Sequence, residues 1–301
     1  MLQLRGSIDI PPHAPGEFDH GDVLLSSGRV FVAHTAADTV DILDGERLTH
    51  VAAVPGCAQG SGLLCAQELG LVFAAARGAG ELLVIEVATG AVQREIGVGP
   101  RPNGLAWDPG RRRLLVADVQ DNTARLIDPG MESSRATLAV ESLPGRPRWA
   151  AYDAHDDRFL VNIREPASVA MLAAESAATL AQWTVSSAGP HGMDLDRTGR
   201  RAFVACDGGM VVALDLATGQ EVARAAIAGV PDAIWFNPRR QRLYVAIGEP
   251  GVVDVVDTQA MAVVQRLETE AEAHTTAYDD ARQRLYVFLP QTCRAAVYEE
   301  V

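Results

Sequence analysis

The chain has 301 residues, a formal net charge of −13 at pH 7 and 48% hydrophobic residues. An acid excess of that size argues against wrapping a nucleic-acid backbone, and no apolar run approaches the roughly 18–20 residues of a membrane-spanning helix. The first thirty residues lack a basic start followed by an apolar core, so no secretory signal is read and a cytoplasmic protein, without nucleic-acid or membrane partners, is expected.

In chain order, the first element is LQLRGSIDI (2–10), a strand with no partner nearby in sequence. From the linker PPHAPGEFDHG onward, one pattern returns about every forty residues. A polar residue beside a small one opens an apolar strand; an Asp/Pro/Arg turn, a second strand, a polar loop and two further apolar runs follow. Registered on the residue that opens each first strand, the copies begin at His20, Gln59, Asn103, Arg148, His191, Asp232 and His274. A period of about 40–45 residues with four short strands is the spacing of a propeller blade. Second strands such as GRVFVAH (28–34), RRLLVAD (112–118), RRAFVAC (200–206), RLYVA (242–246) and RLYVF (284–288) are continuous apolar runs, which calls for burial on both faces. Stacked blades supply that burial. A parallel α/β sheet would need helical crossovers of ten or more residues, and none is seen.

The seventh copy stops at CRAAVYEEV, after three strands, so residues 2–10 are expected to add its missing outer strand and close the ring. The expected fold is therefore all-β: one domain over 1–301, a seven-bladed β-propeller of four-stranded antiparallel blades. Blade boundaries fall near 11–56, 57–99, 100–145, 146–188, 189–229, 230–271 and 272–301 plus 2–10.

Second strands of the RLYVA kind, with the openings PNGLA (102–106) and PHGMD (190–194), resemble those of the YVTN or YncE-like seven-bladed propellers. The GH…WD dipeptides of WD40 blades are absent, and blades 2 and 4 follow the pattern loosely. The resemblance covers essentially the whole chain and implies the fold. It implies no single activity, because such propellers include binding, scaffold and enzymatic members.

Antiparallel strands carry the linker entering each first strand, and the loop between second and third strands, to one rim. Seven entry residues should therefore meet at the mouth of the axial channel. The loops add His34, Arg77, Asp118, Arg164 with Glu165, Asp207 and Glu249. One arc is then rich in imidazole and carboxylate, the other in guanidinium and amide. His20, His191 and His274 with His34 are the candidate ligands for a divalent metal (Zn, Mn, Ni, Fe or Mg), since imidazole and carboxylate are common donors to such ions. Asp232 or Glu249 would be a fourth ligand or a general base, and Cys206 a spare soft ligand. Arg148, Arg77 and Arg164, with Asn103 and Gln59, suit an anionic small molecule. The remaining histidines, His13, His50 and His155, fall in linkers or turns.

Each rim group also has an ordinary use, in solvation or in hydrogen bonds to neighbouring backbone. Asp128, Asp215 and Asp257 read as turn residues. The arginines before second strands read as solvated, and the four tryptophans as packing between blades. No G-x-S-x-G, HExxH or helix-opening G-x-G-x-x-G is present. The leading expectation is a small-ligand or metal-binding propeller. The alternatives are a metal-dependent lactonase, hydrolase or C–O lyase, and a scaffold that docks a protein partner.

Overall fold

The computed structural model describes residues 1–11 and 16–301; His13 lies outside the described residues. These residues form seven antiparallel four-stranded sheets. The first strands are Gly21–Leu24, Gly60–Ala66, Pro102–Asp108, Pro147–Asp153, Pro190–Asp196, Val230–Asn237 and Thr276–Asp279. Each packs against the next, and the last against the first, so they surround one axis. The N-terminal strand Leu2–Asp9 pairs with Arg294–Glu300 and supplies the outer strand of the seventh blade, as expected.

Apolar side chains gather in seven separate layers, each between two adjacent blades, rather than in one central core. Second strands such as Arg113–Asp118 and Arg201–Cys206 are buried beyond their first residue, whereas outer strands such as Ala262–Glu268 alternate exposed and half-buried residues. That is the burial which continuous apolar runs demand. Because the core lies between blades, the axis itself remains open for polar groups.

The arginines that open second strands are not merely solvated turn residues. Arg29 donates to the Val87 carbonyl, Arg113 to Glu175, Arg158 to Leu216, Arg201 to Thr258 and Arg284 to Gly45. Each acceptor lies just after the third strand of the following blade, so these guanidinium groups tie neighbouring blades together. Asp128, Asp215 and Asp257 do what the sequence suggests, accepting backbone N–H bonds within their own turns. Cys57, Cys65 and Cys206 are buried thiols. Cys206 lies in the apolar layer between blades 4 and 5 rather than among the rim donors, and that burial raises its thiol to about 12.

Candidate functional site

The entry residues reach the channel through a repeated backbone irregularity. In blade 3, Pro102 pairs with Asp118 and Leu105 with Val116, so Asn103 and Gly104 together oppose one residue. The same β-bulge holds Arg148 with Trp149, His191 with Gly192 and Asp232 with Ala233. A bulge re-aims side chains without breaking the sheet. It also explains the glycines beside Asn103 and His191. A Cβ on Gly104 would sit 2.1 Å from the Arg148 carbonyl oxygen, and one on Gly192 would sit 2.1 Å from that of Asp232. The next blade's backbone fills that space.

In blade 2 the same bulge falls on Ser61 and Gly62 rather than on Gln59, which corrects the sequence register by two residues. Ser61 is fully buried and donates to the Pro102 carbonyl at 2.9 Å, so it does not present its hydroxyl to the mouth. Gln59 has a positive φ of 47° and takes its backbone bond from N–H to Asp38, outside the chamber. The loose match of blade 2 to the repeat is the reason the register slipped.

Seven of the residues singled out in the sequence line one small polar chamber of about 150 Å³: His20, Arg77, Asn103, Arg148, His191, Asp232 and His274. Glu17, Asp19 and Trp149 complete it. The first two were missed because they precede the registered position, although EFDHG carries both. The other four expected site residues are elsewhere. His34 is buried behind the rim, stacked on Phe18 and bonded through Nδ1 to Asp41 at 2.9 Å; Asp41 also holds His50 at 2.7 Å. Arg164 pairs with Asp207 at 2.9 Å on the outer side of the mouth. Glu249 is exposed at the end of its strand, and Gln59 lies in its loop.

Inside the chamber the charged groups form two sets. Asp232 lies 3.3 Å from His191 Nε2 and 3.7 Å from His274 Nε2, while His191 Nδ1 meets Asp207 at 2.9 Å. Asp19 lies 3.4 Å from His20 Nε2 and 3.5 Å from Arg77. Burial works against ionising Asp232, yet the fields of His191, His274, His20 and Arg148 hold its carboxyl below the usual range. Asp207 is likewise kept low, against its burial, by His191 and by Arg164 and Arg148. Burial lowers the His20 pKa against the opposing pull of Asp19 and Asp232. The imidazoles are thus gathered around carboxylates. Among the described residues, no group of three or more His, Cys, Asp or Glu side chains is disposed to hold a metal ion.

Arg148 stands apart. Its Nε is buried without a hydrogen-bond partner, and the side chain makes no ion pair with any described residue. Burial, together with Arg146, lowers its pKa despite the pull of Asp232 and Asp207. Asn103 beside it is 6% exposed and bonds through its side chain to no described residue.

No family model matches the chain. Two curated relatives, each called uncharacterized protein YncE, come from Salmonella typhimurium (strain LT2) and Salmonella typhi. Both are 24% identical over 220 residues, covering 69% of this chain and 62% of their own length. This chain is a seven-bladed propeller with weak homology to YncE. Among solved structures, Kuenenia stuttgartiensis hydrazine synthase superposes with a TM-score of 0.83 at 14% identity, over 95% of this chain and 96% of that one. That likeness concerns the fold alone.

In this propeller the channel is divided. His20 of blade 1 and Trp149 of blade 4 stack across the axis, with ring centroids 4.1 Å apart and planes 20° from parallel. Trp149 therefore does more than pack between blades, which corrects the sequence reading. Beyond this pair lies a second, wider chamber of about 460 Å³ at the opposite end, also bounded by His20 and Trp149.

Proposed function

We propose that this YncE-like propeller is a binding protein whose polar chamber takes a small carboxylate-bearing molecule, without turnover. The observation that carries this reading is Arg148: a half-buried guanidinium whose buried Nε has no partner among the described residues, next to the Asn103 amide, which bonds to none of them either. Buried polar groups in folded proteins are nearly always hydrogen-bonded, and an orphan invites an explanation in a ligand. Arg77, whose Nε is likewise buried without a partner, meets Asp19 at 3.5 Å, and Asp232 has imidazole neighbours, so Arg148 is the chamber's guanidinium without a paired carboxylate among the described residues. A guanidinium fork matches a carboxylate, and the Asn103 amide can donate alongside it. The chamber's volume limits the ligand to the order of five water volumes at roughly 30 Å³ each. No specific observation favours the lactonase, lyase or scaffold alternatives.

Isothermal titration of the protein with acetate, lactate and inorganic phosphate at low salt tests the reading, with zinc and manganese as separate arms. One-site carboxylate binding, weakened at least tenfold in Arg148→Met, is the expected result. Binding of zinc or manganese with no response to any carboxylate would replace the carboxylate reading with a metal one.

A further inference from the structure

The wide chamber has a chemistry unlike the mouth. Its wall contains four aromatic rings, Trp107, Trp149, Tyr152 and Trp235, and two carboxylates on first strands, Asp22 and Asp194. The polar edges of three of these rings are already engaged: Trp107 Nε1 donates to Glu68, Trp235 Nε1 to the Thr276 carbonyl, and the Tyr152 hydroxyl to Asp157. Trp149 lies flat against His20. The indole N–H and hydroxyl groups of Trp107, Trp235 and Tyr152 are therefore already used within the protein, and these rings offer the chamber chiefly apolar surface.

The two carboxylates are held in place but not neutralised. Asp22 accepts the Cys65 N–H of the next blade at 2.8 Å and its neighbour Val23 N–H at 2.7 Å. Asp194 accepts the Phe236 N–H of its next blade at 2.7 Å and the Leu195 N–H at 2.7 Å. Neither makes an ion pair with a described residue, although Arg197, exposed at the rim, acts on Asp194 from a distance. We propose that this chamber is a second binding site, for an organic cation of the alkylammonium class, seated among the four aromatic rings between Asp22 and Asp194. Aromatic faces and carboxylates both attract a weakly hydrated cation, and rings of this kind are the recurrent receptors for quaternary ammonium groups. The volume lies within the range of small-molecule sites.

The electrostatics agree. Burial pushes the Asp22 carboxyl up to about 6, against its two backbone bonds, and the field of Asp194 adds to the rise. The charged or titratable groups around Asp22 are Asp194, the Cys65 thiol and, on the same chamber wall, Glu68, Arg197 and His20. A bound cation favours the ionised carboxylates, so binding should strengthen as pH rises through about 6 and release protons in that range.

Choline is a suitable probe, because its carbon isostere 3,3-dimethylbutan-1-ol has nearly the same shape without the charge. Tryptophan fluorescence and calorimetric titration at pH 5 and pH 7.5 should show choline binding at least tenfold tighter than the alcohol, and more tightly at the higher pH. Asp22→Asn and Asp194→Asn each remove the charge while keeping one of the two acceptor oxygens, and each should weaken choline at least fivefold in the folded protein. Equal affinity for choline and the alcohol, or no choline binding at tens of millimolar in the folded protein, would overturn the proposal. Arg148→Met should retain choline binding and Asp194→Asn should retain carboxylate binding at the mouth, so failure of either site is read separately.

Discussion

Arg148→Met should make the ligand-free protein more stable while removing its affinity for small carboxylates. The methionine keeps most of the apolar stem and discards a guanidinium whose Nε is buried without a partner. Burial and Arg146 together outweigh the attraction of Asp232 and Asp207, since the pKa of Arg148 is lowered. The charge is therefore a net cost to the folded state. An unsatisfied buried donor costs about 1–3 kcal/mol; the chamber retains room for water, so the lower half of that range, about 1–2 kcal/mol, applies. At about 2.1 cal/mol/K of unfolding entropy per residue, a chain of this length gains roughly 1.5 °C in Tm per kcal/mol. Differential scanning calorimetry without added carboxylate should thus show a rise of about 1.5–3 °C. Addition of acetate should then raise the wild-type Tm and leave the variant unmoved. A drop of several degrees in the variant would show that Arg148 is a structural strut. The reasoning that assigns it to a ligand would then fail.

Three further outcomes follow from the same structure. Gly104→Ala places a Cβ 2.1 Å from the Arg148 carbonyl oxygen of the neighbouring blade; chemical denaturation should show a loss of about 2 kcal/mol or more, because a backbone must move. Arg284→Met removes a 6% exposed guanidinium bonded to the Gly45 carbonyl and Glu46, and should cost about 2–3 kcal/mol, against under about 1 kcal/mol for the more exposed Arg113→Met. Folding raises the Asp22 pKa from its unfolded value to about 6, so the protonated acid favours the folded state: this stabilisation is full below about pH 4 and is lost as pH rises through 6. Asn keeps only one of the two oxygens that accept the Val23 and Cys65 N–H groups, so Asp22→Asn should be less stable than wild type at pH 4, and the difference should shift in the variant's favour by about 1–3 kcal/mol in paired melts from pH 4 to 7.

The blade count, the blade order and the ring closure by Leu2–Asp9 were legible in the sequence because they depend on period and on continuous apolar runs. Both are one-dimensional signals that burial between stacked sheets imposes directly. The convergence of His20, Asn103, Arg148, His191, Asp232 and His274 was legible for the same reason, since equivalent positions in a closed repeat must share a rim. Gln59 was misplaced because blade 2 opens with a loop whose extra residues mimic the polar entry signal, whereas pairing puts Ser61 in the bulge. His34 looked equivalent to the other rim residues, but its side chain points into the apolar layer and is held by Asp41.

Sequence alone determined the architecture of this protein and the set of polar residues delivered to one end of its axis, because repeat spacing and strand parity are local properties of the chain. Only the tertiary structure decided what those residues face. Imidazoles from separate blades proved to be paired with Asp19 and Asp232, Arg148 proved to lack a partner among the described residues, and a His20–Trp149 stack proved to split the channel into a polar and an aromatic chamber. Those outcomes depend on side-chain direction and on distances across the axis between blades far apart in sequence, which no repeat pattern encodes.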